Sequence, residues 1–337
     1  MSNGALNFVR NLPAVALGRQ PQYPLLFSYD ITHRCNLNCR YCCDGDGKRF
    51  FQEEGIHELS TAEAKRLLGI LRRASDTLDI TGGEPLLRED LGEILGEAKR
   101  LRFKTVLNTK AISIQSRIDV LRSADLIIVG IDTLNADALA AVIGRPKECA
   151  ERLLEGLRFL VEHRREYGYS VALSTVATPD NLDDVARVLN FAVEHRLGFH
   201  VSPEILGTEA NRALIGNAKY EELIDKVRLA KRAGGAILGV EQYLIGIKYF
   251  TKFQCYPLLM PVIRPDGRLY YPCLETKCAE INVLEAGDYL LALKQARATC
   301  GEIPKCGNCC HIFCHMGASL LQRHPVAALR ELRNWGA

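Results

Sequence analysis

Short β-prone runs alternate with longer helical stretches along the chain between residues 25 and 205. Each run is rich in Val, Ile, Leu or Tyr and is followed by turn or polar residues, which is typical of strands. We predict strands over residues 25–31, 77–81, 104–108, 126–131, 170–177 and 199–202. Alternation of strands with helices indicates a parallel sheet covered by helices. The predicted fold class is therefore α/β, with a partial (β/α)6 barrel of parallel strands.

Polar residues in front of apolar repeats predict where the helices begin. Ser60 followed by Glu63 has the spacing of a capping box, so one helix is expected to begin there. Asn181 is a suitable N-cap for a second helix, whose apolar residues recur on one face. Further helices are predicted over residues 147–166 and 218–233.

The regular alternation fades after residue 203, and paired glycines at 234 and 235 predict a boundary. We therefore predict an N-terminal extension over residues 1–24 and the partial barrel over residues 25–235. Residues 236–337 are predicted to form a small cysteine-rich α+β domain.

Charge and hydropathy exclude several classes of protein. The 337 residues carry a net charge of +3, which gives no reason to expect a nucleic-acid partner. No apolar run approaches the ~20 residues of a membrane span, and the N-terminus lacks the pattern of a signal peptide. We therefore expect a cytoplasmic location. Residues 5–17 are mildly amphipathic and are expected to pack as a helix on the main domain, with peripheral membrane contact as the alternative.

Thirteen cysteines are many for a cytoplasmic chain, and they are clustered: four lie between residues 35 and 43, and eight follow residue 254. Disulfides are disfavoured in a reducing compartment. Clustered cysteines without a secretion signal therefore favour binding of a metal or an iron–sulfur cluster.

The first cluster, Cys35, Cys39 and Cys42, has the spacing C-x3-C-x2-C directly after the first predicted strand. Three thiolates on one loop can hold three irons of a four-iron cluster and leave the fourth iron open to a small molecule. A structural zinc site would need four protein ligands, and His33 is a possible fourth. The adjacent Cys43 is interpreted as a neighbouring thiol that does not bind.

A second motif, Gly82-Gly83-Glu84-Pro85, ends the second predicted strand. Paired glycines let a ligand approach the backbone closely, and with Glu84 they could bind an amino-acid moiety. An ordinary turn is the alternative for such a motif alone. In parallel barrels the chemistry gathers at the C-terminal ends of the strands, which is where both motifs lie.

Together the two motifs resemble those of the radical S-adenosylmethionine (radical SAM) superfamily, over residues 25–205. The resemblance implies that Cys35, Cys39 and Cys42 hold a [4Fe-4S] cluster whose fourth iron binds SAM. Reductive cleavage of SAM would then give a 5′-deoxyadenosyl radical that abstracts hydrogen from a substrate. By the same resemblance, the predicted SAM-binding residues are Tyr41, Gly82, Gly83, Glu84, Asn108 and Asp132. For Asn108 and Asp132, an ordinary polar strand end is the alternative.

The later cysteines resemble the Twitch and SPASM domains that follow some radical SAM barrels. An Asp-Gly turn at 266–267 between β-prone flanks predicts a hairpin between two of these cysteines. The resemblance implies a second [4Fe-4S] cluster, for which the candidate ligands are Cys255, Cys273, Cys306 and Cys309, with Cys314 as their main rival. A zinc site is the alternative.

These features predict an oxidoreductase or C–H-functionalising enzyme with an unidentified substrate. A small molecule, a lipid or isoprenoid, or a peptide are all open, and the electron donor would be a flavodoxin or ferredoxin. The short segment before Cys35 leads us to expect no fused leader-binding region. A non-catalytic iron–sulfur or zinc protein is the alternative from another class.

Overall fold

The structure is a computed structural model that describes residues 3–42, 57–303 and 310–331. Six parallel strands form its centre, in the order in which they occur along the chain. They are β1 (Phe27–Thr32), β2 (Thr77–Gly82), β3 (Lys104–Thr109), β4 (Leu126–Gly130), β5 (Ser170–Ala177) and β6 (Gly198–Pro203). The six predicted strands and the α/β barrel class are thus confirmed, with boundaries that differ from the predicted ones by at most two residues.

Helices precede, connect and follow these strands. They are α1 (Asn3–Ala16), α2 (Thr61–Arg72), α3 (Leu91–Arg100), α4 (Ile118–Leu121), α5 (Ala136–Ile143), α6 (Lys147–Tyr167), α7 (Leu182–Glu194), α8 (Ala218–Arg232) and α9 (Glu241–Tyr249). The capping box before α2 is confirmed, because Ser60 and Glu63 each accept a hydrogen bond from the other's backbone N–H. Asn181 precedes α7 as predicted, but its side chain accepts the N–H of Thr178 and so closes the preceding turn instead of capping the helix.

The two faces of the parallel sheet differ in burial. Side chains that point towards the helices, such as Ile80, Leu107 and Val129, are fully buried in the main core. Side chains that point into the barrel near the strand ends, such as Asn108 and Ser202, are partly exposed. Because successive residues of a strand face opposite sides, this alternation identifies an inner wall that is polar and partly exposed near the strand ends. Other residues of the same wall form a buried apolar cluster with Leu238, namely Val106, Ile128 and Ala172.

The C-terminal region continues the barrel sheet. Its strands are β9 (Val262–Ile263), β10 (Arg268–Tyr271) and β11 (Ala279–Asn282), after a small separate hairpin of β7 (Ile205–Leu206) and β8 (Glu209–Ala210). β9 pairs in parallel with β1, while β10 and β11 follow in antiparallel order, which makes a nine-stranded sheet. The predicted hairpin is confirmed, and Gly267 has the positive φ of 79° that its turn requires. The domain boundary at residue 235 stays a prediction.

Four further helices are α10 (Val283–Ala286), α11 (Tyr289–Cys300), α12 (Ala318–Arg323) and α13 (Pro325–Glu331). A π-helical turn over Phe313–Gly317 precedes α12 and brings the chain back to the barrel. The ring of Phe313 stacks on His200 of β6, with 4.3 Å between the ring centres. The π-helical turn therefore packs against the inner wall.

Helix α1 packs on the main domain as expected, but through polar contacts. Asn7 and Asn11 are its buried residues, and their side-chain amides donate to backbone carbonyls, including those of Pro24 (2.8 Å) and Tyr23 (2.7 Å). The carboxylate of Asp76 accepts two N–H groups at the start of the helix. Val9, an apolar residue of this helix, is about half exposed. Within the described residues, no helix is both long and apolar enough to cross a membrane.

Candidate active site

The loop that carries Cys35, Cys39 and Cys42 leaves the C-terminal end of β1 and is braced against the end of α5. The backbone N–H groups of Asn38 and Arg40 donate to carbonyls of residues 143 and 142, at 2.9 and 3.2 Å. The three thiols thus lie on a short loop with a fixed backbone. Cys39 is buried, and the other two are partly buried.

The charge around these thiols comes from groups at neighbouring strand ends. Burial raises the pKa of Cys39, and the positive charge of Lys110 opposes that shift. Burial also raises the pKa of Cys35, and the negative charge of Glu84 adds to that shift. In the described ranges, no three Cys, His, Asp or Glu side chains come close enough together to hold one metal ion. A four-iron cluster does not require that proximity, because each thiolate binds a different iron.

Gly82 and Gly83 lie directly against the cysteine loop. A Cβ on Gly82, whose φ is +120°, would stand 2.2 Å from the carbonyl oxygen of Thr32, and one on Gly83 would stand 2.2 Å from that of Arg34. The backbone N–H of Gly83 donates to Thr32 (2.8 Å). The glycines are therefore required by the close approach of the chain's own backbone, whereas the sequence interpretation attributed them to the approach of a ligand, with an ordinary turn as the alternative. Their contact with SAM stays a prediction.

Glu84 is buried and links the end of β2 to the end of β3. Its Oε1 accepts hydrogen bonds from the N–H of Leu86 (3.1 Å) and the hydroxyl of Thr109 (2.6 Å), and its Oε2 accepts the N–H of Lys110 (2.8 Å). Burial raises its pKa, and these hydrogen bonds oppose the shift. A carboxylate has about four acceptor positions, so one on Oε2 is left for a further donor.

Tyr41 and Asp132, predicted from distant parts of the sequence, are in direct contact. The Tyr41 hydroxyl donates to Asp132 Oδ2, while Oδ1 accepts the N–H of Val176 (2.7 Å). Burial, together with the charge of Asp132, raises the pKa of Tyr41. Lys110 completes this group, with its ammonium donating to the Tyr41 hydroxyl (3.2 Å) and lying 3.9 Å from Asp132. Sequence reasoning did not include Lys110, although it follows the polar pair at 108–109 that ends β3.

Asn108 lies on the inner wall, where its amide donates to the carboxylate of Asp79 on β2. Burial raises the pKa of Asp79 to about 7, and the negative charge of Asp30 on β1 adds to that shift. Farther round the wall, Ser174 Oγ and His200 Nε2 lie 3.1 Å apart, and burial lowers the pKa of His200 to about 4. The inner wall therefore combines two carboxylates with neutral polar groups.

The predicted second-cluster residues lie on different segments. Cys273 lies just after β10, with its sulfur 3.3 Å from the hydroxyl of Thr276, and Cys255 lies between α9 and β9. Cys314 lies on the π-helical turn, where burial raises its thiol pKa to about 12 and the charge of Asp79 adds to that shift. Two further candidates lie outside the described residues, Cys306 and Cys309. Their joint role as ligands stays a prediction.

Cys278 and Cys300 form a disulfide with a Cα–Cα distance of 6.1 Å, which is within the range for such bonds. The bond joins the start of β11 to the end of α11. The sequence interpretation disfavoured disulfides and assigned neither residue. The fold brings them together because β11 and α11 pack side by side across a short connection.

A three-cysteine loop and a Gly-Gly-Glu motif at the ends of adjacent parallel strands define the class of iron–sulfur domains that bind SAM. Residues 29–192 match the Radical SAM superfamily, so the chain carries a radical SAM domain. That superfamily uses a [4Fe-4S] cluster and SAM.

Among curated proteins, the chain is 27% identical over 206 residues to the GTP 3′,8-cyclase of Helicobacter pylori (strain HPAG1). The match covers 58% of this chain and 60% of that protein, so the chain spans only part of the length of this relative. The GTP 3′,8-cyclase of strain J99 matches to the same extent.

Two solved structures share the fold over most of the chain. Streptococcus suis SuiB bound to S-adenosylmethionine matches with a TM-score of 0.63 and 18% identity, over 85% of this chain and 69% of SuiB. The structure of anSMEcpe with bound AdoMet matches with a TM-score of 0.59 and 16% identity, over 91% of this chain and 97% of that one. At these identities the likeness concerns the fold alone.

Proposed function

We propose that the chain cleaves SAM reductively and oxidises or functionalises a C–H bond of an amine-bearing or peptide substrate in the cytoplasm. The observation that carries this proposal is the position of the three-cysteine loop beside Glu84, Lys110 and the Tyr41–Asp132 pair, all at the C-terminal ends of the strands. When bound, the cluster and SAM supply a carbon-centred radical that takes a hydrogen atom from the substrate.

The residues present fit both cofactors. The three thiols of the loop are the donor set that a cluster with one open iron requires. The amino group of SAM would be bound by the free acceptor position of Glu84 and by the backbone of Gly82 and Gly83. Lys110 supplies a positive charge for the carboxylate of SAM, and Tyr41 and Asp132 would contact its nucleoside.

A nucleotide triphosphate, the kind of substrate named for the Helicobacter relative, fits the inner wall poorly. Triphosphates are bound by Arg, Lys or helix N-termini. The inner wall instead carries the carboxylates of Asp30 and Asp79 together with neutral polar groups. Charge therefore favours a neutral or cationic substrate.

The test is cleavage of SAM by anaerobically reconstituted, chemically reduced enzyme. The wild type should release 5′-deoxyadenosine and methionine, and joint replacement of Cys35, Cys39 and Cys42 by Ala should abolish both products. Cys149→Ala, a thiol on α6 outside the loop, is the matched control and should remain active. Cleavage that persists in the triple variant would refute the assignment.

We also propose that the C-terminal cysteines hold a second [4Fe-4S] cluster, which would accept or relay an electron. The likeness of the last hundred residues to Twitch and SPASM domains supports this, as does the thiol of Cys273 at the end of β10. The triple variant should then still bind about four irons and four sulfides per chain. Stoichiometric zinc without sulfide in that variant would make the region a structural zinc site.

A further inference from the structure

Two carboxylates occupy diagonal positions on neighbouring strands of the inner wall of the barrel. Asp30 on β1 and Asp79 on β2 belong to neighbouring parallel strands, in a register that pairs Asp79 with Ser28 and Asp30 with Thr81. Both are nearly fully buried, at 4% and 6% exposure. The same strands end, a few residues farther on, at the cysteine loop and at Gly82.

The hydrogen bonds to these carboxylates from the described residues come from neutral side chains, and one of them is long. Asp79 accepts from the amide of Asn108 and, at 3.4 Å, from the hydroxyl of Ser28. Asp30 Oδ2 accepts no hydrogen bond from any residue in the described ranges, and His33 Nε2 lies 3.7 Å from it. Neither carboxylate forms an ion pair with a Lys or Arg of the described residues.

Buried carboxylates without a cation are unfavourable, and proteins normally pair such charges. On the same inner wall, Asn108 and Ser202 are partly exposed near the strand ends. The negative charges of both acids also act on the thiol of Cys314 on the π-helical turn. Among the described residues, His33 is the basic side chain that lies beside these acids, at 3.7 Å from Asp30, and a cationic group of a ligand would be stabilised by the two carboxylates.

We propose that Asp30 and Asp79 bind a protonated primary amine of the substrate, which deepens the proposed function and rests on it. An ammonium has three donors, which match Asp30 Oδ2, Asp79 Oδ2 and the side-chain oxygen of Asn108. Asp79 lies three residues before Gly82, or roughly 10 Å at the rise of a strand. The C–H bond that reacts near the strand ends is therefore several bonds away from the nitrogen.

Dansylcadaverine, a fluorescent pentylammonium, and its N-acetylated neutral form are matched probes that differ in the ammonium charge. In fluorescence titrations of the cluster-loaded enzyme without SAM, the amine should bind at least about ten-fold more tightly than the acetylated form, as charge-assisted hydrogen bonds require. Asp30→Asn and Asp79→Asn should each reduce that preference to below about three-fold, while Asp79→Glu should restore part of it. The exposed Asp137→Asn is the control and should keep the full preference.

Equal affinity of the wild type for the two probes would overturn the proposal, whether or not the variants fold. Retention of the full preference in folded Asp30→Asn and Asp79→Asn would also overturn it. Failure of the wild type to cleave SAM would refute the proposed function, but the preference for the amine would still be measurable. A preference abolished by millimolar Mg²⁺ at constant ionic strength would identify a metal-ion site and contradict the amine assignment.

Discussion

Replacement of Asp79 by Asn should stabilise the protein at neutral pH, although it alters a residue of the proposed site. Burial and the nearby charge of Asp30 raise the pKa of Asp79 from 3.8 to about 7. Below the ordinary pKa the group is protonated in both the folded and unfolded states, so it costs nothing there. As pH rises towards 7, ionisation favours the unfolded state, and the cost levels off above that pH.

The size of this effect follows from the shift. About three pH units at 1.36 kcal/mol each correspond to a cost of about 4 kcal/mol above pH 7. Asn removes the charge, and its side-chain oxygen can still accept the amide of Asn108. Asp79→Asn should therefore raise the free energy of unfolding by up to about 4 kcal/mol at pH 8 and by less than about 1 kcal/mol at pH 4. A gain of this size in the variant would mean that the wild type is less stable because it keeps a buried carboxylate for function.

The measurement is urea denaturation of anaerobically purified protein at pH 4, 6 and 8, followed by circular dichroism. Asp137→Asn, which removes a carboxylate that is 72% exposed, is the control variant. A difference between wild type and Asp79→Asn that is the same at pH 4 and pH 8 would refute the reasoning.

Three further predictions concern the strand ends and the C-terminal region. Glu84→Gln should lower the free energy of unfolding by about 1–3 kcal/mol, because one buried N–H loses its acceptor. It should also weaken SAM binding about ten-fold at unchanged iron content, and unchanged SAM affinity in isothermal titration would mean that Glu84 has a structural role only. Lys110→Met should also weaken SAM binding about ten-fold, whereas Lys104→Met on the exposed start of β3 should not. Equal losses of affinity in both variants would mean that Lys110 has no specific role in SAM binding. Cys278→Ser should lower the free energy of unfolding by about 3 kcal/mol, as expected for the loss of a cross-link between residues 22 apart. In dithiothreitol, which reduces the disulfide of the wild type, the difference between wild type and variant should disappear. A difference that persists under reduction would mean that packing, and not the bond, is responsible.

The sequence was sufficient to predict the six barrel strands, because each is a short apolar run whose outward side chains are buried under helices. It also predicted the hairpin at Gly267, since Asp-Gly turn chemistry is local. The pairing of that hairpin with β1 was not predictable in the same way. Edge pairing between segments more than 200 residues apart leaves no periodic signal in either segment.

The same difference between local signals and contacts of distant segments applies to the candidate site. The cysteine spacing and the Gly-Gly-Glu motif are contiguous, so sequence reasoning reached them. The contact of Tyr41 with Asp132 and the position of Lys110 between them depend on which strand ends are neighbours. The pairing of Cys278 with Cys300 was likewise inaccessible, because disulfide connectivity cannot be deduced from spacing alone.

The position of β1 between β2 and β9 has a consequence for synthesis of the protein. All six barrel strands leave the ribosome before residues 262–263, which pair with β1, have been made. Until then the outer edge of β1 presents a row of unpaired backbone N–H and C=O groups, and such a row is a template for pairing with other chains. A message that ends before residue 262 would therefore yield an aggregating product, and not a shorter working barrel.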